Sequence, residues 1–134
     1  MRKVLVVLSF AALALAFLPQ EARAFEVQRF VVARDVVDRE PVGVSQSLPV
    51  TVGTVYAFLE AGSVEADTVV SFVWLHMGQE LARVDIPLKE SPRYRTWSSK
   101  RLGGRTGAWT VRLLDSQGEV LAETSFEVLP EPPR

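Results

Sequence analysis

A period of two governs what this chain can become. From Val27 onward, apolar and polar residues alternate in short runs, and Gly, Pro and Asp interrupt them at short intervals. No stretch of useful length there repeats at the spacing of an amphipathic helix. Successive side chains of a strand point to opposite faces, so alternation of this kind builds half-buried strands, and frequent interruption builds turns between them. The expected class is all-β.

The alternation predicts seven strands. The first runs from Val27 to Val36. Arg39 to Gly53, with Pro41, Gly43, Pro49 and Gly53, reads as a long connection. Further strands are expected at Thr54–Glu60, Thr68–Met77, Leu81–Leu88, Arg93–Lys100, Ala108–Leu114 and Val120–Val128. Met77-Gly78-Gln79-Glu80 marks a tight hairpin, and Asp115-Ser116-Gln117-Gly118 a type I turn. Strands at this spacing predict an antiparallel two-sheet sandwich of immunoglobulin-like architecture, with a small closed barrel as the alternative.

The inward faces follow from the same alternation. Val70, Phe72 and Trp74 share one face. So do Trp109, Val111 and Leu113, and so do Val120, Ala122, Thr124, Phe126 and Val128. On the opposite faces, Val69, Val73, Leu75 and Leu114 form a candidate outward apolar surface.

The segment ahead of the strands has a different character. Arg2 and Lys3 precede an uncharged run from Val4 to Leu18, Pro19 breaks it, and Ala22-Arg23-Ala24 has the small-x-small form that a signal peptidase reads. The expected organisation is therefore a signal peptide over 1–24, one domain over 25–129, and a Pro-rich tail over 130–134. Cleavage is expected between Ala24 and Phe25, with release to the periplasm or the exterior. The apolar run is shorter than the roughly 20 residues of a spanning helix, so no stable membrane span is expected after cleavage.

The residue inventory narrows the chemistry. The chain has no Cys and one His, which removes thiolate catalysis, disulfide staples and Cys-based metal sites. His76 stands at a strand end beside a hairpin, with no nucleophile elbow around any Ser. It reads as a rim histidine packing beside Trp74. Asp35, Asp38 and Glu40 cluster in sequence, as do Glu60, Glu65 and Asp67. Neither run has the rhythm of a calcium loop, and both read as solvated loop charge. No cofactor, metal or nucleic-acid partner is expected.

Several pieces together resemble a known bacterial family. Arg39-Glu40-Pro41-Val42-Gly43, Val52-Gly53-Thr54-Val55-Tyr56, Trp74-Leu75-His76, Arg95-Thr96-Trp97-Ser98-Ser99-Lys100, and Gly107-Ala108-Trp109 ahead of Asp115-Ser116-Gln117-Gly118 are similar, in that order, to domain of unknown function 2914. The resemblance spans about Arg34 to Val128. It implies an extracytoplasmic β domain and no particular activity.

Charge is the uneven feature. The expected mature chain has twelve basic and fifteen acidic side chains, a net of −3. Yet Lys89, Arg93, Arg95, Lys100, Arg101 and Arg105 lie close together against Glu90 alone, and Tyr94 and Trp97 lie among them. Guanidinium forks bind carboxylate or phosphate in pairs of hydrogen bonds, and an indole offers a stacking plane. Arg93, Arg95, Trp97, Lys100, Arg101 and Arg105 are thus the candidate ligand-binding residues, with an envelope protein or an anionic polymer as the partner. The competing reading is an edge strand that uses charge to block sheet-to-sheet association, with Trp97 in the core. The expected function is a non-catalytic binding module of the cell envelope. The alternative is an envelope hydrolase using clustered carboxylates or His76.

Overall fold

The computed structural model describes residues 24–133. The expected signal peptide, apart from Ala24, lies outside the described residues. The described chain forms nine strands: β1 (Glu26–Val37), β2 (Glu40–Val44), β3 (Ser47–Pro49), β4 (Thr54–Val64), β5 (Thr68–His76), β6 (Gln79–Leu88), β7 (Ser91–Arg101), β8 (Gly107–Leu114) and β9 (Val120–Leu129). A single 3-10 turn, Val50–Val52, precedes β4. One sheet has the order β2-β1-β4-β7, the other β3-β9-β8-β5-β6. Every pairing is antiparallel except that of β3 with β9.

The two sheets close on one core, as a sandwich does. Ala57, Leu59 and Ala61 of β4 face Phe72 and Trp74 of β5, Trp109, Val111 and Leu113 of β8, and Phe126 and Val128 of β9. Phe126 meets Trp74 edge-on at 6.4 Å between ring centres and stacks on Trp109 at 6.0 Å. Each buried aromatic removes roughly 150–250 Å² from water, a stabilisation of several kcal/mol at roughly 25 cal/mol per Å². The indoles also keep their polar ends satisfied. Trp74 Nε1 donates to Ser98 Oγ, and Trp109 Nε1 donates to the Arg105 carbonyl.

Turn chemistry sets the hairpins. Met77 and Gly78 both adopt positive φ, 51° and 80°, which gives the two-residue turn whose twist matches the strands. Asp115 accepts from the Gln117 and Glu119 amides, and Gly118 at φ 84° completes that turn.

Four expectations need correction. The connection over Arg39–Gly53 contains β2 and β3. Both lie at sheet edges, where Pro41 and Pro49 leave no ladder bond unmade. β4 continues past Glu60 to Val64. Val73, Leu75 and Leu114 are buried in a small cluster of their own, so only Val69 of that expected surface is exposed. Arg83 and Arg112 stand directly opposite Val73 on the flanking strands, and long basic side chains cover apolar surface with their stems. Val120 is exposed, because the β8–β9 register shifts at Leu113/Leu114.

Candidate functional site

β7 is the free edge of its sheet, and its alternation sorts the candidate residues. Ser98 is buried towards the core. Arg93, Arg95, Trp97, Ser99 and Arg101 therefore lie on the outer face. Tyr94, Thr96, Ser98 and Lys100 take the inner side. Arg93, Arg95 and Trp97 thus share one face. Trp97 is not a core residue. It is 37% exposed and stacks nearly parallel on Phe58, with ring centres 6.4 Å apart.

The strip then divides in two. Its first half is already occupied by carboxylates. Arg95 Nη1 lies 2.6 Å from Glu40 Oε1. Arg93 Nη2 lies 2.6 Å from Glu60 Oε1 and 3.5 Å from Glu40. Arg29, from β1, donates to Glu40 at 2.9 Å and lies 3.7 Å from Glu60. Its guanidinium carbon also sits 4.9 Å above the Phe58 ring. Three guanidinium groups thus share two carboxylates.

Strand geometry explains Glu60 but not Glu40 without a bend. Glu60 stands directly between Arg29 and Arg95 in the register. Glu40 instead pairs with Val37 at the far end of β1. A flat strand would put Val37 about 26 Å from Arg29 at roughly 3.3 Å per residue, too far for the observed contact. β1 therefore curves, and the β1–β2 hairpin carries Glu40 back over the outer face. Hydrogen bonds from Arg29 first, and then Arg95, hold the Glu40 carboxyl below its ordinary pKa of 4.5.

The second half of the strip keeps its charge. Lys100, Arg101 and Arg105 have no ion-pair partner among the described residues. Lys100 Nζ donates to the Arg101 carbonyl at 3.1 Å. Arg101 and Arg105 are exposed. Lys89, outside the strip, lies 3.8 Å from Asp67.

The remaining candidates separate. His76 packs beside Trp109, not Trp74, at 4.8 Å between ring centres. The two face each other across the β5–β8 pairing. His76 Nε2 lies 2.7 Å from the Thr106 carbonyl oxygen, and no carboxylate hydrogen-bonds the ring among the described residues. The acidic runs are only partly solvated loop charge, since Glu40 and Glu60 belong to the arginine cluster. Asp67 accepts from the Glu90 amide. No group of three His, Asp or Glu among the described residues could hold a metal ion. Ser63, Val64, Glu65, Glu90, Ser91 and Pro92 line an open depression of about 340 Å³ at the start of β7.

Arg29 and Phe58 escape sequence reasoning altogether. Arg29 is a lone basic residue of an alternating strand. Phe58 is apolar on an outward position, and only its neighbours Trp97 and Arg29 explain its burial.

Residues 67–128 match the family described as "Protein of unknown function (DUF2914)". It is the family that the sequence resembles, and the match runs from just ahead of β5 into β9. Arg93, Arg95 and Trp97 lie inside the matched segment, while Arg29, Glu40 and Glu60 lie outside it. No curated protein matches the chain.

Proposed function

We propose that this protein is an exported, non-catalytic sandwich, immunoglobulin-like in strand order, that acts by binding an anionic glycan of the cell envelope. The binding surface is the outer face of β7 with the loop that follows it. Trp97 carries this reading. An indole 37% exposed on a sheet face, stacked against Phe58 of the neighbouring strand, leaves its other ring face as a stacking plane for a sugar. Arg101 follows on the same face, about 13 Å along the strand, and Arg105 lies in the loop beyond it, both without an ion-pair partner among the described residues. Lys100 lies on the opposite side of the strand. Edge protection alone needs charge on β7 and gives no reason for a flat exposed ring.

Export rests on the Arg2-Lys3, Val4–Leu18 and Ala22-Arg23-Ala24 pattern. Phe25, the first residue after the expected cut, is buried at 5% in the core, which supports a folding unit that begins there. N-terminal mass spectrometry of the exported protein tests this, and recovery of the intact Met1 form in a membrane fraction refutes it. The hydrolase reading has less support, because His76 faces a backbone carbonyl and an indole.

The binding test compares the parent domain with an Arg101→Ser, Arg105→Ser variant on anionic envelope glycans at low and high salt. Exposed charges are screened beyond about 8 Å at physiological salt. The parent should bind in a salt-sensitive way and the variant should lose most of that binding while staying folded. Equal binding by both removes the proposal.

A further inference from the structure

We propose that Arg29, Arg93 and Arg95 form a binding site for the carboxylate of an acidic sugar, and that Glu40 occupies this site until the ligand displaces it. The inference rests on the glycan-binding reading and adds to it a second subsite and a latch.

Four observations converge on it. First, the stoichiometry is uneven. Three guanidinium groups serve two carboxylates, and Arg29 Nε is buried with no hydrogen-bond partner among the described residues. The cluster therefore has donors to spare, which is the property an oxoanion site needs.

Second, the two carboxylates differ in how they are mounted. Glu60 belongs to the central strand β4, and its side chain is 13% exposed. Glu40 rides on the β1–β2 hairpin, and its side chain is 44% exposed. Glu60 is part of the wall, and Glu40 can leave it.

Third, the hairpin that carries Glu40 is the weaker element. Its two-residue turn puts Asp38 at φ 51°, which Asp tolerates, but also Arg39 at φ 63°, where glycine is the usual residue. β2 is an edge strand of five residues. Short edge elements with strained turns open at low cost, and segments that yield to ligands are drawn from this class.

Fourth, the neighbourhood selects the ligand. Trp97 follows Arg95 by two positions on the same face, about 7 Å along the strand. A pyranose that bears a carboxylate can set its charge among the arginines and its ring against the indole. An acidic peptide offers the charge without a ring. Glu40 is then an internal stand-in for the sugar carboxylate, and its presence lowers the apparent affinity by the fraction of time the site is shut.

The test uses oligogalacturonate as the free acid, its methyl ester, and poly-glutamate, each titrated against the parent domain and a Glu40→Gln variant. The variant should bind the free acid at least tenfold more tightly than the parent and should show no such gain for the ester or the peptide. Adding Arg95→Gln should abolish the gain. A Glu40→Asp variant, with its shorter reach, should give an intermediate gain, and it serves as the probe should Glu40→Gln melt too early. No gain in either Glu40 variant overturns the latch. An equal gain for the ester overturns carboxylate recognition, and an equal gain for poly-glutamate overturns the sugar. If the parent keeps salt-sensitive binding through Arg101 and Arg105 while the Glu40 variants show no gain, the latch fails and the glycan-binding surface stands.

Discussion

Trp74 of β5 and Ser98 of β7 tie the two sheets together through the middle of the sandwich: the indole Nε1 donates to the serine Oγ at 3.3 Å, and both residues are buried. Ser98 is therefore the polar residue that lets a full-sized indole sit in the core without an unpaired N–H. The same register turns Trp97 and Ser99 outward. One strand thus anchors the core with one side chain and presents the candidate binding face with its neighbours.

Ser98→Ala should lower stability by roughly 1–2 kcal/mol, because it leaves a buried indole donor without an acceptor. The bond is at the long end of the usual range, which keeps the expected loss below that of a short one. Urea unfolding followed by Trp fluorescence measures it. A change of a few tenths of a kcal/mol would mean that this bond does not hold the sheets in register.

Trp109→Ala should cost roughly 3–5 kcal/mol, the range for emptying a buried aromatic site. The ring is 1% exposed, stacks on Phe126 and anchors the loop by its bond to the Arg105 carbonyl. Many domains have only about 5–15 kcal/mol in total, so the variant should melt far below the parent. A melting point within a degree or two of the parent refutes the core assignment.

Met77→Asn should stabilise the β5–β6 hairpin by roughly 0.5–1 kcal/mol. Met77 holds φ 51°, a region that costs ordinary side chains about 1–2 kcal/mol and that Asn tolerates. The Met77 side chain is 68% exposed, so little packing is lost. A lower unfolding midpoint would show that the methionine makes contacts that outweigh the strain.

The long strands were legible because each obeys the period of two with one face in the core, as Val70, Phe72 and Trp74 do. β2 and β3 were hidden by Pro41, Gly43 and Pro49, which read as loop punctuation wherever edge pairing is not in view. Val73 and Leu75 have outward parity, and their burial comes from a cluster with Leu114 and from Arg83 and Arg112 across from Val73. The candidate site was half legible. A run of cations within one strand is visible in sequence. The carboxylates that neutralise part of it are not, since Glu40 reaches Arg95 from 55 residues away through a bent hairpin.

The Glu40 latch should weaken in acid. Its carboxyl has a folded pKa below the ordinary 4.5, owing to hydrogen bonds from Arg29 and then Arg95. The folded state therefore binds fewer protons than the unfolded state as the carboxyl titrates. The stabilisation is complete above that ordinary value and fades as pH falls through the lower folded one. The parent should exceed Glu40→Gln in unfolding midpoint near neutral pH, and the gap should close as the pH is stepped down below 4.5. A gap that stays constant through acid would mean that the carboxylate charge contributes nothing to holding the hairpin.

Trp97 should decide between ring recognition and charge alone. Trp97→Ala removes the stack on Phe58 and should cost roughly 0.5–1.5 kcal/mol of stability. The cations of Arg101 and Arg105 stay in place, so attraction to any polyanion should survive. What should fall is the preference for an oligouronate over polyphosphate, which has charge and no rings. Trp97→Phe keeps a flat aromatic face and should retain most of that preference. The readout is the ratio of the two dissociation constants at one salt concentration, compared across the parent and both variants. Should the ratio be the same in all three, the indole plays no part in recognition and the strip acts by charge alone.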